Sequence, residues 1–368
     1  MNVRHGGRLE ACRTVTFDAH ANQVHLIEQR LLPHQFEILK TSDFRSTALA
    51  IRDMVVRGAG AIGATAAFGY AQGLLAFPGD DLGAFAANSA EVFQVLKEAR
   101  PTAVDPVNAM LGVIRDVQAG RTVAEKKQLA VEAAQRFADE DVDHCREIGL
   151  HGVDLIQEGA RVLTHCNAGW LAFVDIGSAT APLYAAHARG RRFHVFCDET
   201  RPRCQGASLT AWELAQDGIS HQVIADNAAG FLMWRQEIDL VIVGSDRVLG
   251  RTGEVANKIG TYTKAVLAHR HGIPFYVAIP LSTIDWEMAS GRDIPIEERD
   301  GAEVCGAWGV DAEGKRSYVR IANPGTTARN PGFDVTPPEL ITGIITPKGI
   351  FKPSDLLANR GVLGGEGR

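Results

Sequence analysis

The sequence predicts an α/β protein in which a C-terminal parallel sheet, covered by helices on both faces, follows a mostly helical N-terminal domain with a small antiparallel sheet. Two observations carry that reading. From Val162 onward, short apolar runs alternate with helix-length segments, an alternation that implies right-handed crossovers between parallel strands. Upstream of roughly residue 120 the apolar spacing is helical, apart from a few alternating segments near the start. A chain of 368 residues accommodates two domains with full cores. The expected division is 1–120 for the helical domain with its small sheet, 121–160 for a connecting helix, and 161–368 for the domain of the parallel sheet.

Taken in order, Val15-Thr-Phe17 and Val24-His-Leu-Ile27 flank the turn residues of Asp18-Ala-His-Ala-Asn22 and predict the small sheet within 12–40. Thr41-Ser-Asp43 offers N-caps for a helix carrying Leu49, Ile51, Met54 and Val55. An Ala-rich helix follows Val56-Arg-Gly-Ala-Gly-Ala-Ile-Gly63 and runs to Leu75, before Pro78-Gly-Asp-Asp81 breaks the chain. Helices are expected at 82–99, 103–119 and 122–159, with Arg100-Pro101-Thr102 as a loop between the first two. Strands are expected at 162–165, 193–197, 221–225, 239–244 and 274–279, and helices at 178–189, 206–217, 227–236 and 257–271. From 337, Pro-Pro-Glu-Leu-Ile-Thr-Gly-Ile-Ile-Thr reads as a capped helix and a closing segment.

Composition narrows the function. With 45% apolar and 22% charged residues the chain is ordinary for a soluble globular protein. A net charge of −6 without a Lys/Arg-rich run gives no support to nucleic-acid or membrane-surface binding. No apolar run reaches the ~18 residues of a membrane span. The start, MNVRHGGRLEACR, has the pattern of neither a signal nor a transit peptide. The six cysteines are scattered without CxxC, and the twelve histidines lack metal-ligand spacing. Neither a zinc site nor a disulfide framework is expected, and a reducing, cytoplasmic setting is.

The chemistry-bearing residues gather at strand ends. Val162-Leu163 empties into His165-Cys166-Asn167, and ligands of open α/β sheets bind at the carboxyl edge. Cys166 there is either a nucleophile or base, or a small buried residue, and that stretch leaves both open. The other strand ends carry Asp198-Glu-Thr200, Ala225-Asp226-Asn227, Gly244-Ser-Asp246 and Pro280-Leu-Ser-Thr283. Asp246 ends the most apolar strand, where desolvation would raise its pKa and suit it to acid–base work; pairing with Arg247 or helix capping is the other reading. Gly58-Ala-Gly-Ala-Ile-Gly63 matches GxGxxG, but the fingerprint needs a strand before it and another after its helix. Ile51-Arg-Asp-Met-Val-Val56 is helical and charged, so a phosphate held by helix N–H groups and Arg57 fits better than a dinucleotide, with close helix packing as the alternative. Asn257-Lys258-Ile-Gly-Thr-Tyr262 is expected to open a helix and to offer a second anion contact.

These segments together resemble the methylthioribose-1-phosphate isomerase family: Thr164-His-Cys-Asn-Ala-Gly169, Asp198-Glu-Thr-Arg-Pro-Arg203, Gln205-Gly-Ala, Leu209-Thr-Ala-Trp-Glu-Leu214, Gly244-Ser-Asp-Arg247, Val255-Ala-Asn-Lys-Ile-Gly-Thr-Tyr262, Gly272-Ile-Pro-Phe-Tyr-Val277, Pro280-Leu-Ser-Thr-Ile-Asp285 and Phe333-Asp-Val-Thr-Pro-Pro-Glu-Leu-Ile-Thr342. The resemblance covers residues 8 to 351. The wider superfamily includes ribose-1,5-bisphosphate isomerases and regulatory subunits of a translation-initiation exchange factor, which generally lack the Cys/Asp pair. The resemblance implies a helical N-terminal domain, a Rossmann-like C-terminal domain, a homodimer, and a cofactor-independent aldose–ketose isomerase of the methionine salvage route. It implies that Cys166 is the catalytic cysteine and Asp246 its acid–base partner. It further implies that Arg57, Gly58, Ala59, Arg100, Gln205, Asn257 and Lys258 hold substrate, mostly its phosphate.

The anomeric phosphate of such a substrate blocks spontaneous ring opening, so the protein must open the furanose. On this reading Asp246, kept protonated by burial, donates to the ring oxygen, and Cys166 as thiolate removes the C2 proton. A hydride shift from C2 to C1 is the rival route. Three departures from the family pattern bear on substrate: Gly60 in place of the usual proline, Cys204 in place of a larger aliphatic residue, and Ser208 in place of a frequent arginine. Ribose 1-phosphate, 5-deoxyribose 1-phosphate and a bisphosphate stay open as substrates, and a non-enzymatic sugar-phosphate sensor is the competing class. An uncharged group at C5 is favoured, because no basic cluster for a second phosphate appears.

Overall fold

The structure, a computed structural model, describes residues 1–100 and 104–364. The chain forms two compact units: Met1–Glu147 with Ala168–Ala181, and Ile148–Asn167 with Pro182–Arg368.

The first unit opens with the hairpin β1 (Asn2–His5) and β2 (Arg8–Ala11), which sequence reading missed, and then a three-stranded antiparallel sheet. That sheet contains β3 (Val15–Asp18), β4 (Gln23–Ile27) and β5 (Ile38–Thr41), with Val15, Val24 and Leu26 on its buried face. Helices α1 (Phe44–Arg52), α2 (Ala59–Leu75), α3 (Leu82–Ala99), α4 (Asp105–Val117) and α5 (Val123–Gly152) follow. Asp43 caps α1, accepting from the Arg45 and Ser46 N–H groups. This helix is shorter than the apolar spacing predicts. Met54 adopts a φ of 58°, so Met54 and Val55 follow α1 rather than belonging to it. Helix α2 is buried on every side from Gly60 to Leu74, which its Ala- and Gly-rich sequence permits because small side chains let neighbours close in. Ile51, Ile62, Phe68, Leu74, Phe85, Leu96, Met110 and Val113 make the core around it. The expected loop Arg100-Pro101-Thr102 and the start of the helix expected at 103 involve residues 101–103, which lie outside the described residues. The helix expected over 122–159 ends at Gly152, followed by a 3-10 turn at Val153–Leu155.

The second unit contains β6 (Arg161–Thr164), β7 (His194–Asp198), β8 (His221–Ile224), β9 (Leu240–Val243), β10 (Arg247–Leu249) and β11 (Val255–Lys258). It continues with β12 (Phe275–Ala278), β13 (Ile284–Asp285), β14 (Gly306–Val310), β15 (Arg316–Arg320), β16 (Phe333–Thr336), β17 (Gly343–Thr346) and β18 (Gly349–Phe351). Its helices are α6 (Ala181–Ala188, whose first residue belongs to the first unit), α7 (Ala211–Gln216), α8 (Ala228–Trp234), α9 (Thr261–His271) and the short α10 (Ala302–Cys305). Seven strands form one sheet in the order β18-β17-β12-β9-β6-β7-β8. All its neighbours are parallel except β17 and β18. All five expected strands are in this sheet. Leu163, Val241, Val243, Phe275, Val277 and Ile344 form its core.

Three features depart from expectation. A second sheet, β13-β10-β11-β16, and the hairpin β14–β15 were not foreseen. Asn257 and Lys258 lie in β11 of that sheet rather than opening a helix, because Val255–Lys258 pairs with β16, 75 to 81 residues further along, and no local pattern carries that information. The segment after 337 is a single 3-10 turn, Pro338–Leu340, and the closing segment is the inner strand β17 with its hairpin partner β18. Among the described residues no helix is long and apolar enough to cross a membrane.

Candidate active site

Strand β6 lies between β9 and β7, with Leu163 opposite both Val241 and Phe196. The loops that leave the carboxyl ends of these three parallel strands therefore stand side by side. They carry His165-Cys166-Asn167 after β6, the stretch from Asp198 to Gly206 after β7, and Gly244-Ser245-Asp246 after β9. Between β6 and β9 the chain order reverses, and such a reversal opens a crevice at the carboxyl edge.

Cys166 is buried and has a φ of 67°, a left-handed backbone rare for a residue with a side chain. Its N–H donates to Thr200 Oγ1 at 2.8 Å, and its carbonyl accepts from Thr210 Oγ1 at 2.8 Å. Thr200 Oγ1 in turn donates to the Asp198 carbonyl at 2.9 Å. Asp226 holds the turn beneath, accepting the Thr200 and Arg201 N–H groups at 2.8 and 2.7 Å. Asn167 Nδ2 donates to Glu213 Oε1 at 2.8 Å, and Tyr184 OH donates to Glu213 Oε2 at 3.2 Å. Gly206 is required here, because a Cβ would fall 1.8 Å from the Asp198 carbonyl oxygen. The segment Gly206–Thr210 after Gln205 is π-helical, a geometry common at functional sites. Gln205 itself is buried, and among the described residues its Oε1 has no hydrogen-bond partner. A buried acceptor of this kind suits a ligand hydroxyl.

Asp246 is exposed, which corrects the expectation of a desolvated carboxyl. The physical reason is the turn at Gly244-Ser245. It carries the chain out of the buried β9 into β10, and the Asp246 N–H bonds the Ala256 carbonyl of β11 at 3.0 Å. Arg247 pairs with Asp285 at 3.2 Å. Asn257 and Lys258 are both buried: Asn257 Nδ2 donates to Thr261 Oγ1 at 2.9 Å, and Lys258 Nζ donates to the Gly332 carbonyl at 2.9 Å. Lys258 Nζ also stands 4.7 Å over the Phe333 ring. The N-terminus of α9 is closed rather than open to an anion, because Asp334 accepts from the Gly260 and Tyr262 N–H groups at 2.7 and 3.1 Å. Burial raises the Asp334 carboxyl despite these two bonds.

Sequence reasoning missed the cluster behind Cys166. His165, Asp198 and Lys264 are all buried, with Asp198 Oδ2 2.8 Å from His165 Nδ1 and 3.3 Å from Lys264 Nζ. His165, Asp198 and Asp226 each present a possible metal-ligand atom within 4.8 Å of one another. The ammonium of Lys264 already faces the Asp198 oxygen, and both Asp226 oxygens hold backbone N–H groups, so this donor set suits a metal poorly. The one signal for the cluster in the sequence is that His165 adjoins Cys166 and Asp198 ends a strand.

Arg57, Gly58, Ala59 and Arg100 belong to the first unit. Gly58 is the N-cap of α2 at φ 94°, and a Cβ there would lie 2.4 Å from the Ala172 Cα, so only glycine fits. The element immediately before it is helix α1, not the strand that a dinucleotide fingerprint would need. Gly58 gives α2 no side-chain cap, which leaves a helix start suited to an anion, with the half-buried Arg57 beside it. Beneath this turn Asp141 accepts the Val174 N–H at 2.8 Å, and burial pushes its carboxyl up to about 7. Arg100 is half-buried at the end of α3.

The profile of the initiation factor 2 subunit family matches residues 55–353. The methylthioribose-1-phosphate isomerase of Cereibacter sphaeroides strain KD131 is 50% identical over 338 residues, 90% of this chain and 91% of that protein. The crystal structure of 5-methylthioribose 1-phosphate isomerase from Pyrococcus horikoshii OT3 superposes with a TM-score of 0.85 at 41% identity, covering 97% of each chain. A structure from A. fulgidus described as translation initiation factor eIF-2B, subunit delta, superposes at 0.82 with 36% identity over 96% of this chain and all of that one.

Proposed function

The chain belongs to the initiation factor 2 subunit family, and from that premise we propose that it acts as a methylthioribose-1-phosphate isomerase in methionine salvage. It is an aldose–ketose isomerase that converts S-methyl-5-thioribose 1-phosphate to the ribulose 1-phosphate. The observation that carries the site assignment is the placement of Cys166 and Asp246 on loops that leave neighbouring parallel strands, β6 and β9, where the chain order reverses. A sensor of sugar phosphates would have no use for that pair.

In the proposed reaction Asp246 gives a proton to the ring oxygen as the bond from that oxygen to C1 breaks. Cys166 takes the C2 proton, and the electron pair left behind forms the C1=C2 bond of an enol phosphate. Loss of the C2 hydroxyl proton and return of a proton to C1 complete the ketose. Burial does not hold the proton on the exposed Asp246. A phosphate dianion bound nearby supplies the same bias, because like charge disfavours a carboxylate. Cys166 is buried, in keeping with chemistry shielded from water. Gln205, with its unpartnered Oε1, accepts a sugar hydroxyl. Arg57, Gly58, Ala59, Arg100, Asn257 and Lys258 hold the substrate, chiefly its phosphate, and fixing it in register supplies much of the rate. An uncharged C5 group remains the favoured substrate feature.

The same proposal includes a Rossmann-like second unit. The six parallel strands, numbered along the chain, lie in the order 3-2-1-4-5-6, which supports a doubly wound sheet with helices on both faces. It keeps the division into a helical part, a connecting helix and a catalytic part, amended in that 168–181 packs with the first unit. Homodimer formation and a cytoplasmic setting, in keeping with six unpaired cysteines, belong to it as well.

Incubation with methylthioribose 1-phosphate tests the function through the appearance of a ketone carbon signal. Cys166→Ser and Asp246→Asn should each lower kcat by about 10²- to 10⁴-fold, the range for loss of an acid or base. A Cys166→Ser protein with unchanged kcat would remove the cysteine from the mechanism. Turnover in deuterated water should place deuterium at C1, whereas the hydride route carries none there.

A further inference from the structure

His165 has no part in the chemistry above, yet both of its ring nitrogens are anchored. Nε2 lies 2.8 Å from the Ile259 carbonyl oxygen and Nδ1 2.8 Å from Asp198 Oδ2. A carbonyl oxygen only accepts, so Nε2 carries a proton. Asp198 Oδ2 also faces the Lys264 ammonium at 3.3 Å, which makes that oxygen an acceptor from both sides and Nδ1 a second donor. Asp334 on β16 and Asp226 after β8 are the further acids around this group. Asp334 is drawn down by both His165 and Lys264 against the burial that raises it. The cluster is dry: the side chains of His165, Asp198 and Lys264 are 1%, 0% and 3% exposed.

The next residue, Cys166, holds a left-handed backbone at φ 67°. For a non-glycine residue such a conformation persists only where its surroundings over-determine it. Asp198 links the two residues by two routes. Its carboxylate takes the His165 ring, and its carbonyl takes Thr200 Oγ1, which accepts the Cys166 N–H. The ring of His165 and the backbone of Cys166 are thus tied to one residue of the adjoining strand β7.

We propose that His165, held at both ring nitrogens by Asp198 and Ile259, is the positioning residue of Cys166: through Asp198 it fixes the strained backbone of the cysteine and so holds the thiol where it reacts. The proposal rests on the reading of Cys166 as the reacting group, but its test does not. In the full-length protein, iodoacetamide labelling of Cys166 is followed by peptide mapping at one pH for the wild type, His165→Asn and Lys264→Met, beside kcat and KM for methylthioribose 1-phosphate. His165→Asn should slow Cys166 labelling and lower kcat by about ten-fold or more, as loss of a partner that orients a reactive group does. KM should change less than about three-fold, and Lys264→Met should move labelling and kcat in the same direction. Labelling that is unchanged or faster in folded His165→Asn protein overturns the proposal, since a merely structural histidine would loosen the loop. If that variant does not fold, nitrogen-15 spectra of the wild-type histidines decide. One ring with both N–H protons protected from solvent exchange is expected, and its absence overturns the proposal. An active Cys166→Ser protein would sink the catalytic reading alone, because the labelling and the spectra still report on His165.

Discussion

Replacing Thr200 by valine keeps the side-chain shape and removes only the hydroxyl that joins Asp198 to Cys166. Two hydrogen bonds are lost, Cys166 N–H to Oγ1 at 2.8 Å and Oγ1 to the Asp198 carbonyl at 2.9 Å, both within buried residues. A buried N–H left without a partner costs about 1–3 kcal/mol, and the carbonyl, with its second lone pair, costs less. The sum is about 2–4 kcal/mol. The left-handed backbone of Cys166 stores about 1–3 kcal/mol, similar in size to the tie that opposes its relaxation. Thr200→Val should therefore lower the melting temperature by roughly 4–12 °C, at a few degrees per kcal/mol. It should also lower kcat more than it raises KM, because the cysteine drifts while the phosphate contacts remain. Thr200→Ser is the control, since it keeps the hydroxyl. Differential scanning calorimetry and steady-state kinetics read both effects. If Thr200→Val melts within about a degree of Thr200→Ser with equal kcat, the claim that Thr200 holds the Cys166 backbone is refuted.

The other predictions each address one group. Gly206→Ala should destabilise the second unit by more than about 3 kcal/mol in chemical denaturation, because its Cβ would overlap the Asp198 carbonyl oxygen at 1.8 Å. Lys258→Met should raise KM about 10- to 100-fold with a smaller effect on kcat, matching the loss of a charge-assisted contact to phosphate, as measured by initial rates. Asp141 tests the pH dependence of the first unit. Burial raises its folded carboxyl to about 7 from an unfolded value of 3.8, so the folded state binds the extra proton between these values. Its contribution is therefore present at low pH and lost as pH rises through the folded value, at about 1.4 kcal/mol per pH unit at most. Asp141→Asn keeps an acceptor for the Val174 N–H and cannot ionise, so its melting temperature should gain on the wild type as pH rises from acid to neutral. A constant difference across that range would remove Asp141 from the account.

What the sequence revealed, and what it did not, follows from whether the relevant forces are local. The strands β6, β7, β9 and β12 were readable because strands buried on both faces must be near-continuous apolar runs. Helix α3 was readable to the residue, since Asp81 caps it and Pro78-Gly-Asp-Asp81 excludes an earlier start. Val255–Lys258 was not, because its partners in β10 and β16 are what make it a strand. The helix start that it seemed to offer to phosphate is closed by Asp334, more than 70 residues away. The exposure of Asp246 has the same origin. An apolar run predicts a dry strand end, but the turn into β10, a strand of the other sheet, decides how far the next residues emerge.

Cys166 shows why the two readings of a lone cysteine could not be separated locally. Burial, an apolar strand before it and a glycine after it are shared by inert and reactive thiols alike. Backbone strain with a matching restraint favours the proposed reacting role, and both are tertiary. The φ of 67° is held by Thr200 and Thr210 from two other segments, and Asp198 joins that restraint to the His165 ring. Thr200, Thr210 and Asp198, with the glycine at 206 that lets the backbone approach, together hold Cys166 beside the loop of Asp246. Cys166, Thr200 and Cys204 all hold a left-handed backbone at this carboxyl edge, and strain over-determined by its surroundings accords with the proposal that Cys166 is a preorganised reacting group.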